Sequence, residues 1–81
     1  MQYVARTPAQ LGDVLKGFRR SRKMTQEAAG QRVGLPQNVV SIIETRTDSV
    51  SVERLFTLLS ALGLELVIRD READSASTQE W

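Results

Sequence analysis

The sequence predicts a mainly α-helical domain of four helices that is followed by one short C-terminal β-strand. Three observations predict this fold class. Apolar residues recur at helical spacing in the first and last helical segments, N-capping residues precede three of the four segments, and Gly34 and Gly63 stand where helices should end. After Gly63 the pattern changes to the alternation of a strand. A chain of 81 residues forms one domain with a limited core, so dimerisation is a reasonable expectation.

The first helix is expected to run from Pro8 to about Arg22. Thr7 is a favourable N-cap, proline suits the first helical position, and Gln10 can reach back as the third residue of a capping box. One face of this helix is apolar and should meet the core: Leu11, Val14, Leu15 and Phe18.

Two shorter helices joined by a tight turn are expected next. Thr25 is the N-cap of the first, which should span residues 26–33, and the second should span residues 36–45. A glycine inside a helix costs about 1 kcal/mol relative to alanine, so Gly30 suggests that another helix presses against this point. Gly34 is placed to end the first of these helices in a left-handed conformation. Two residues give the second helix an apolar edge for the core: Val40 and Ile43.

The fourth helix should begin after Ser51, a candidate N-cap, and stop at Gly63. Residues 64–69 then alternate as a strand does. A lone strand needs partners for its backbone groups, and an edge strand pairs readily with a copy of itself. We therefore expect a homodimer joined by a two-stranded intermolecular sheet, the alternative being a further helical turn or a tail folded onto the core. Four residues are assigned to the dimer interface: Leu64, Leu66, Val67 and Ile68.

Residues 70–81 are polar, acidic and rich in serine and alanine, so they cannot bury enough apolar surface to order themselves. The expected organisation is one folded domain over residues 1–69 and a disordered acidic tail over residues 70–81. The single tryptophan of the chain, Trp81, lies at the tip of this tail. We interpret it as an anchor for a pocket on another protein, the alternative being an incidental terminal residue.

The composition argues against catalysis and against metal binding. The chain has no cysteine and no histidine, which removes thiolate and imidazole ligands and the commonest general base. No nucleophile stands beside a candidate base in the sequence, and no glycine-rich phosphate loop occurs. No apolar run approaches the roughly 20 residues of a membrane span. The sequence therefore predicts a cytoplasmic protein that is not an enzyme and needs no cofactor.

Charge is divided unevenly along the chain. Residues 1–48 hold eight Lys or Arg against four acids, a net charge of +4. Residues 49–81 hold three Arg against six acids, a net charge of −3. A basic front and an acidic back indicate two different partners, a polyanion for the first and something else for the second, although a merely dipolar surface has the same pattern.

The basic front and the tight turn together favour a helix that binds double-stranded DNA. A short helix with a polar edge can place two or three side chains on base edges in the major groove. The candidate base-reading residues lie on the second helix of the pair: Gln37, Asn38 and Ser41. The candidate phosphate contacts flank it in sequence: Arg20, Arg22, Lys23, Thr25, Gln26 and Arg46. Taken singly, each base-reading candidate is more often part of a solvated helix face.

The frame TQEAAGQRVGLPQNVVSIIE over residues 25–44 resembles the Cro/cI-type (XRE) helix-turn-helix family. The resemblance covers about residues 8–63 and depends on six positions: Thr25, Gln26, Gly30, Gly34, Ser41 and Glu44. It implies a four- to five-helix, lambda-repressor-like domain, and a pair between Arg19 in the first helix and Glu44. The chain departs from the family pattern at three positions: Ala29 for leucine, Gly30 for alanine and Pro36 for a polar residue.

The segment LGLELVIRD after the fourth helix and the closing pair Glu80-Trp81 resemble HipB-type antitoxins. This resemblance implies a homodimer that binds a palindromic operator and represses its own type II toxin–antitoxin operon. It also implies neutralisation of a HipA-type Ser/Thr kinase toxin, with Glu80 and Trp81 as the toxin-binding residues. Two alternatives are a stand-alone XRE-type repressor without a toxin partner and a helical protein-interaction module that does not bind DNA.

Overall fold

A computed structural model describes residues 2–71 of the chain. Four α-helices are present in this part: α1 (Pro8–Ser21), α2 (Gln26–Gln31), α3 (Gln37–Thr45) and α4 (Val52–Ala61). The mainly helical, four-helix prediction is confirmed, and the helix ends lie within two residues of the expected ones. The polar loop expected after α3 contains one turn of 3₁₀-helix, Thr47–Ser49. None of the helices between residues 2 and 71 has the length and hydropathy that a bilayer crossing demands.

Three of the helices begin at the predicted caps. Each cap hydroxyl accepts the backbone N–H three positions later, at 3.0–3.1 Å: Thr7, Thr25 and Ser51. The capping box expected at α1 differs in one respect, because the Gln10 side chain accepts the N–H of Arg6 at 2.6 Å. Gln10 therefore satisfies the N–H of the residue before the cap, and not the N–H of Thr7 that a capping box predicts. Helix α3 begins after Pro36, whose side chain offers no cap.

The turns after α2 and α4 have the left-handed glycines that the sequence predicts, with φ of 76° at Gly34 and 70° at Gly63. In each turn the N–H of the next residue reaches the carbonyl five positions back, at 2.9 Å, as in a Schellman motif. The turn after α1 closes in the same way, with Lys23 in the left-handed position at φ 58°. The sequence does not predict this, because lysine is an uncommon residue for such a conformation.

Helix α3 is the central element, since it packs against α1, α2, α4 and the 3₁₀ turn. Its apolar edge is buried as predicted, and Val40 and Ile43 have no exposed surface. The core draws residues from all four helices: Leu15, Ala29, Val39, Val40, Ile43, Leu58, Leu59, Ala61 and Leu62. A guanidinium N–H of Arg32 donates to the Ala61 carbonyl at 3.2 Å and so links the end of α2 to the end of α4.

Two glycines allow the backbone to approach unusually closely. A Cβ at Gly30 would collide with the carbonyl oxygen of Leu35, and Val40 lies behind it at 3.2 Å. The prediction of a close contact at Gly30 is thus right. The nearest group is the Leu35 carbonyl in the α2–α3 turn, however, and not a residue of another helix. A Cβ at Gly12 would collide with the carbonyl oxygen of Glu44. This close approach at Gly12 allows α1 to pack directly against the end of α3.

The segment after α4 has no regular secondary structure over residues 64–70, and no strand occurs within residues 2–71. The alternative, a further helical turn, is therefore not formed. Leu64 packs against the core, whereas Leu66, Val67 and Ile68 are exposed, Ile68 to 89 %. A strand is defined by its pairing, and the expected partner is a second copy of the chain. The intermolecular sheet therefore stays a prediction.

We expect opposite effects from adding a methyl group at two glycines of α1. Gly12→Ala should lower the free energy of unfolding by about 1–3 kcal/mol, because the Cβ overpacks the contact with α3. Gly17→Ala should raise it by about 1 kcal/mol, because the Cβ meets nothing within 4 Å and alanine favours the helix. Urea unfolding followed by circular dichroism measures both, and a stability gain at Gly12 would contradict the close approach.

Candidate nucleic-acid interface

The three predicted base-reading residues lie on one face of α3. Gln37 and Asn38 are exposed and Ser41 is half-buried, while the opposite edge of the helix carries Val40 and Ile43 in the core. The positions i, i+1 and i+4 bring these side chains together on a helix. The surface offers two amides and one hydroxyl, each able to donate and to accept hydrogen bonds.

Two further residues extend this face toward the C-terminal end of α3. Ile42 is 37 % exposed, and its position four residues after Asn38 places its methyl-bearing side chain beside that amide. Thr45 is exposed and its hydroxyl donates to the Ser41 carbonyl at 2.8 Å. Thr45 is not among the residues predicted from the sequence. It lies four positions after Ser41, however, and this spacing predicts that the two residues share a helix face.

A chain of hydrogen bonds links the start of α3 to the start of α2. The Gln37 amide nitrogen donates to the Gln26 amide oxygen at 2.6 Å. The Gln26 amide nitrogen donates to the Glu44 carboxylate at 3.1 Å. Gln26 was predicted only as a phosphate contact, so its link to a predicted base-reading residue is new. No sequence signal identifies it, because the two glutamines are 11 residues apart and belong to different helices.

The hydrogen-bond chain ends on a buried ion pair. The Glu44 carboxylate accepts from the Arg19 side chain at 2.6 Å (Nε) and 3.1 Å (Nη2). The pair is 8 % exposed on the arginine side and fully buried on the glutamate side. A third N–H of Arg19 donates to the Met24 carbonyl at 2.8 Å, in the α1–α2 turn. The pair that the family resemblance implies is therefore confirmed.

The predicted phosphate contacts comprise four exposed cations and two residues at the start of α2, Thr25 and Gln26. Exposed cations lie at the end of α1, in the turn before α2 and just after α3: Arg20, Arg22, Lys23 and Arg46. The guanidinium of Arg22 lies 5.0 Å from the centre of the Phe18 ring. This cation–π contact restricts the positions that the Arg22 side chain adopts. The Thr25 hydroxyl accepts the Ala28 N–H as a cap, and its own proton stays available to a phosphate.

The predicted dimer residues line a groove that includes no residue of α3. The segment 64–69 and the N-terminal residues 2–6 line one open groove alongside α1. On the N-terminal side of this groove, the Tyr3 ring packs edge-on against Phe18 at 5.4 Å between centroids. Glu80 and Trp81, like most of the predicted tail, lie outside the described residues.

A helix-turn-helix family profile, HTH_3, matches residues 15–68 of the chain. The chain belongs to this helix-turn-helix family. The match takes in the second half of α1, all of α2, α3 and α4, and the segment that follows them. The XRE-type resemblance that the sequence suggests is thereby confirmed. A comparison with curated proteins by sequence finds no match.

Solved structures of this helix-turn-helix type give a finer comparison. The chain is similar to a structure described as a HipB–O4 20mer complex, with a TM-score of 0.80 and 25 % identity. A HipA–HipB–O2–O3 complex gives the same two values, and both alignments cover 88 % of this chain and 99 % of the other. A HipB–O1–O2 complex matches with a TM-score of 0.78 and 26 % identity, covering 86 % of this chain and 100 % of the other. The helix-turn-helix domain is thus of the HipB type.

Proposed function

We propose that this protein is a DNA-binding antitoxin that acts as a homodimer in the cytoplasm. It binds a palindromic operator, represses its own type II toxin–antitoxin operon and neutralises a HipA-type Ser/Thr kinase toxin. One observation carries the proposal: the chain is similar over 88 % of its length to HipB in a complex with HipA and with the O2 and O3 sites. That similarity supports both proposed partners, the operator DNA and the HipA-type kinase. A catalytic role has no support in the residues of the site.

Helix α3 is proposed to enter the major groove and read bases with Gln37, Asn38 and Ser41. One N–H of Gln37 is used by Gln26, which leaves the other N–H and the amide oxygen for a base. This pair of groups matches adenine, which accepts at N7 and donates from N6. Asn38 has the same chemistry, and the exposed Ile42 suits a thymine methyl group.

The phosphate backbone is proposed to contact the cations that flank α2 and α3 in the sequence. These are the exposed side chains named from the sequence: Arg20, Arg22, Lys23 and Arg46. Thr25 donates through its hydroxyl, and Gln26 through the amide N–H that Glu44 does not use. Each neutralised phosphate releases counterions, so DNA affinity falls steeply as the salt concentration rises.

Dimerisation is proposed to occur through residues 64–69 of two copies. The exposure of Leu66, Val67 and Ile68 in the single chain supports this, because it leaves an apolar surface that a second copy can cover. A two-fold dimer places two α3 helices in successive major grooves, about 34 Å apart, and therefore requires a palindromic operator. The tail over residues 70–81, ending in Glu80 and Trp81, is proposed to be the segment that binds the kinase.

A stand-alone repressor of the same fold is the second candidate. It is favoured by the extent of the family match, which stops at residue 68 and so leaves out the whole acidic tail. A kinase gene beside this one, or a kinase that co-purifies with the protein from its host, distinguishes the antitoxin from the stand-alone repressor.

DNA reading is tested at the exposed amides of α3. Gln37→Ala or Asn38→Ala should cost about 1–3 kcal/mol of binding free energy at particular base positions, because each removes a pair of base contacts. Fluorescence anisotropy with the promoter duplex and its single-base variants measures this. Gln31→Ala is a matched control, since Gln31 is an exposed amide at the far end of α2. Unchanged binding by both α3 variants would refute the assignment, and no binding by the native protein at low salt would favour a protein-only module.

The dimer is tested within the 64–69 segment. Val67→Pro should weaken dimerisation, because proline removes a backbone donor from the sheet and restricts the chain. Val67→Thr is the matched control, since it keeps the N–H and the β-branched shape. Sedimentation velocity over a concentration series gives the dissociation constants, and a proline variant that dimerises as tightly as the native protein would argue against the sheet.

The tail is tested at its last residue. Removing Trp81 should weaken kinase binding by about 2 kcal/mol or more, the range of an interface hot spot, and leave the dimer intact. Gln79→Ala serves as the control within the same segment. Isothermal titration calorimetry with the co-purified kinase measures the affinities, and an equal affinity with and without the tryptophan would exclude the anchor.

A further inference from the structure

We propose that Glu44 is a positioning residue for base recognition, which fixes the orientation of the Gln26 amide and, through it, that of Gln37. The proposal deepens the proposed DNA binding and rests on it. Glu44 itself is buried and does not reach the DNA-facing surface. Its effect passes through two hydrogen bonds, from Gln26 to Glu44 and from Gln37 to Gln26.

The first step is the chemistry of a carboxylate paired with arginine. Such a carboxylate only accepts hydrogen bonds, and Arg19 already donates to both of its oxygens. The amide of Gln26 must therefore turn its nitrogen toward Glu44, as it does at 3.1 Å. The reverse orientation would set the amide oxygen of Gln26 against the carboxylate, and two acceptors repel each other.

The second step follows from the geometry of an amide, whose oxygen and nitrogen lie on opposite sides. With its nitrogen held by Glu44, Gln26 presents its oxygen to the start of α3. An oxygen only accepts, so Gln37 must donate, and its nitrogen lies 2.6 Å from that oxygen. The orientation of the exposed glutamine is thus set by a residue that lies two hydrogen bonds away.

The third step concerns what Gln37 has left for a base. One of its two N–H groups is occupied, so one N–H and the amide oxygen remain, which is the complement of adenine. Guanine presents two acceptors, N7 and O6, and would need both N–H groups. If Glu44 is replaced by glutamine, Gln26 can turn over and donate to the Gln37 oxygen. Both N–H groups of Gln37 are then free, and guanine becomes acceptable.

The test compares base preferences across a series of variants. Duplexes selected from a random pool by the native protein are resynthesised with each base pair at every position, and Gln37→Ala identifies the position that Gln37 reads. Glu44→Gln is then compared with the double variant Arg19→Met/Glu44→Gln, which leaves no unpaired buried charge. Leu58→Ala is the structural control, because this fully buried side chain belongs to the core. Circular dichroism shows that each variant is folded at the assay temperature.

We expect the preference for adenine over guanine at the Gln37 position to be roughly 5- to 150-fold in the native protein, the range of a bidentate base contact. It should approach unity in both Glu44 variants, while preferences at positions read by Asn38 and the salt dependence stay unchanged. Leu58→Ala should lower affinity for all duplexes equally and keep the preference.

Retention of the adenine preference by the Glu44 variants would overturn the positioning role alone, since DNA reading itself would stand. A native protein that binds no duplex, or binds all equally, would overturn the proposed function and this proposal with it. A uniform loss of affinity in the Glu44 variants, like that of Leu58→Ala, would mean that the ion pair is only structural.

Discussion

The buried ion pair between Arg19 and Glu44 is the interaction on which the rest of the domain depends. It joins the last turn of α1 to the last turn of α3, and through the Met24 carbonyl it also holds the turn that leads into α2. A carboxylate near the C-terminal end of a helix is opposed by the helix dipole, so Glu44 needs the donors that surround it. Removing either partner leaves the other charge buried and unpaired, which typically costs 3–5 kcal/mol.

Close backbone contacts place the helices so that this pair can form. Gly12 lets α1 approach the carbonyl of Glu44. Glu44 therefore contacts α1 twice, with its backbone carbonyl at Gly12 and with its carboxylate at Arg19. Gly30 lets α2 approach the α2–α3 turn at the Leu35 carbonyl, which fixes where α3 begins. The same two constraints bring Gln26 within reach of both Gln37 and Glu44. Helix placement and the orientation of the exposed amides therefore have a common origin.

Local chemistry accounts for what the sequence predicts well. The caps, the apolar face of α3 and the left-handed glycines are set by neighbours a few residues away, and all were predictable. The Arg19–Glu44 pair was predictable only through family resemblance, because its partners are 25 residues apart. The Gln26–Gln37 contact depends on how α2 and α3 cross, and no spacing rule gives that. The strand at residues 64–69 stays a prediction, since it needs a second chain.

Lys23 has a left-handed backbone conformation that lowers the stability of the domain. It holds the left-handed position that glycine occupies in the two other Schellman turns, and a residue with a Cβ is less stable there by about 1 kcal/mol. Glycine would fit the backbone of this turn at least as well, and the local gain of a lysine is its attraction to the negative end of the α1 dipole, about 0.3–1 kcal/mol. A cation beside the start of α2 is also consistent with the net charge of +4 over residues 1–48 and with a polyanionic partner. A local rule is thus broken next to the proposed interface, which is where function most often outweighs propensity.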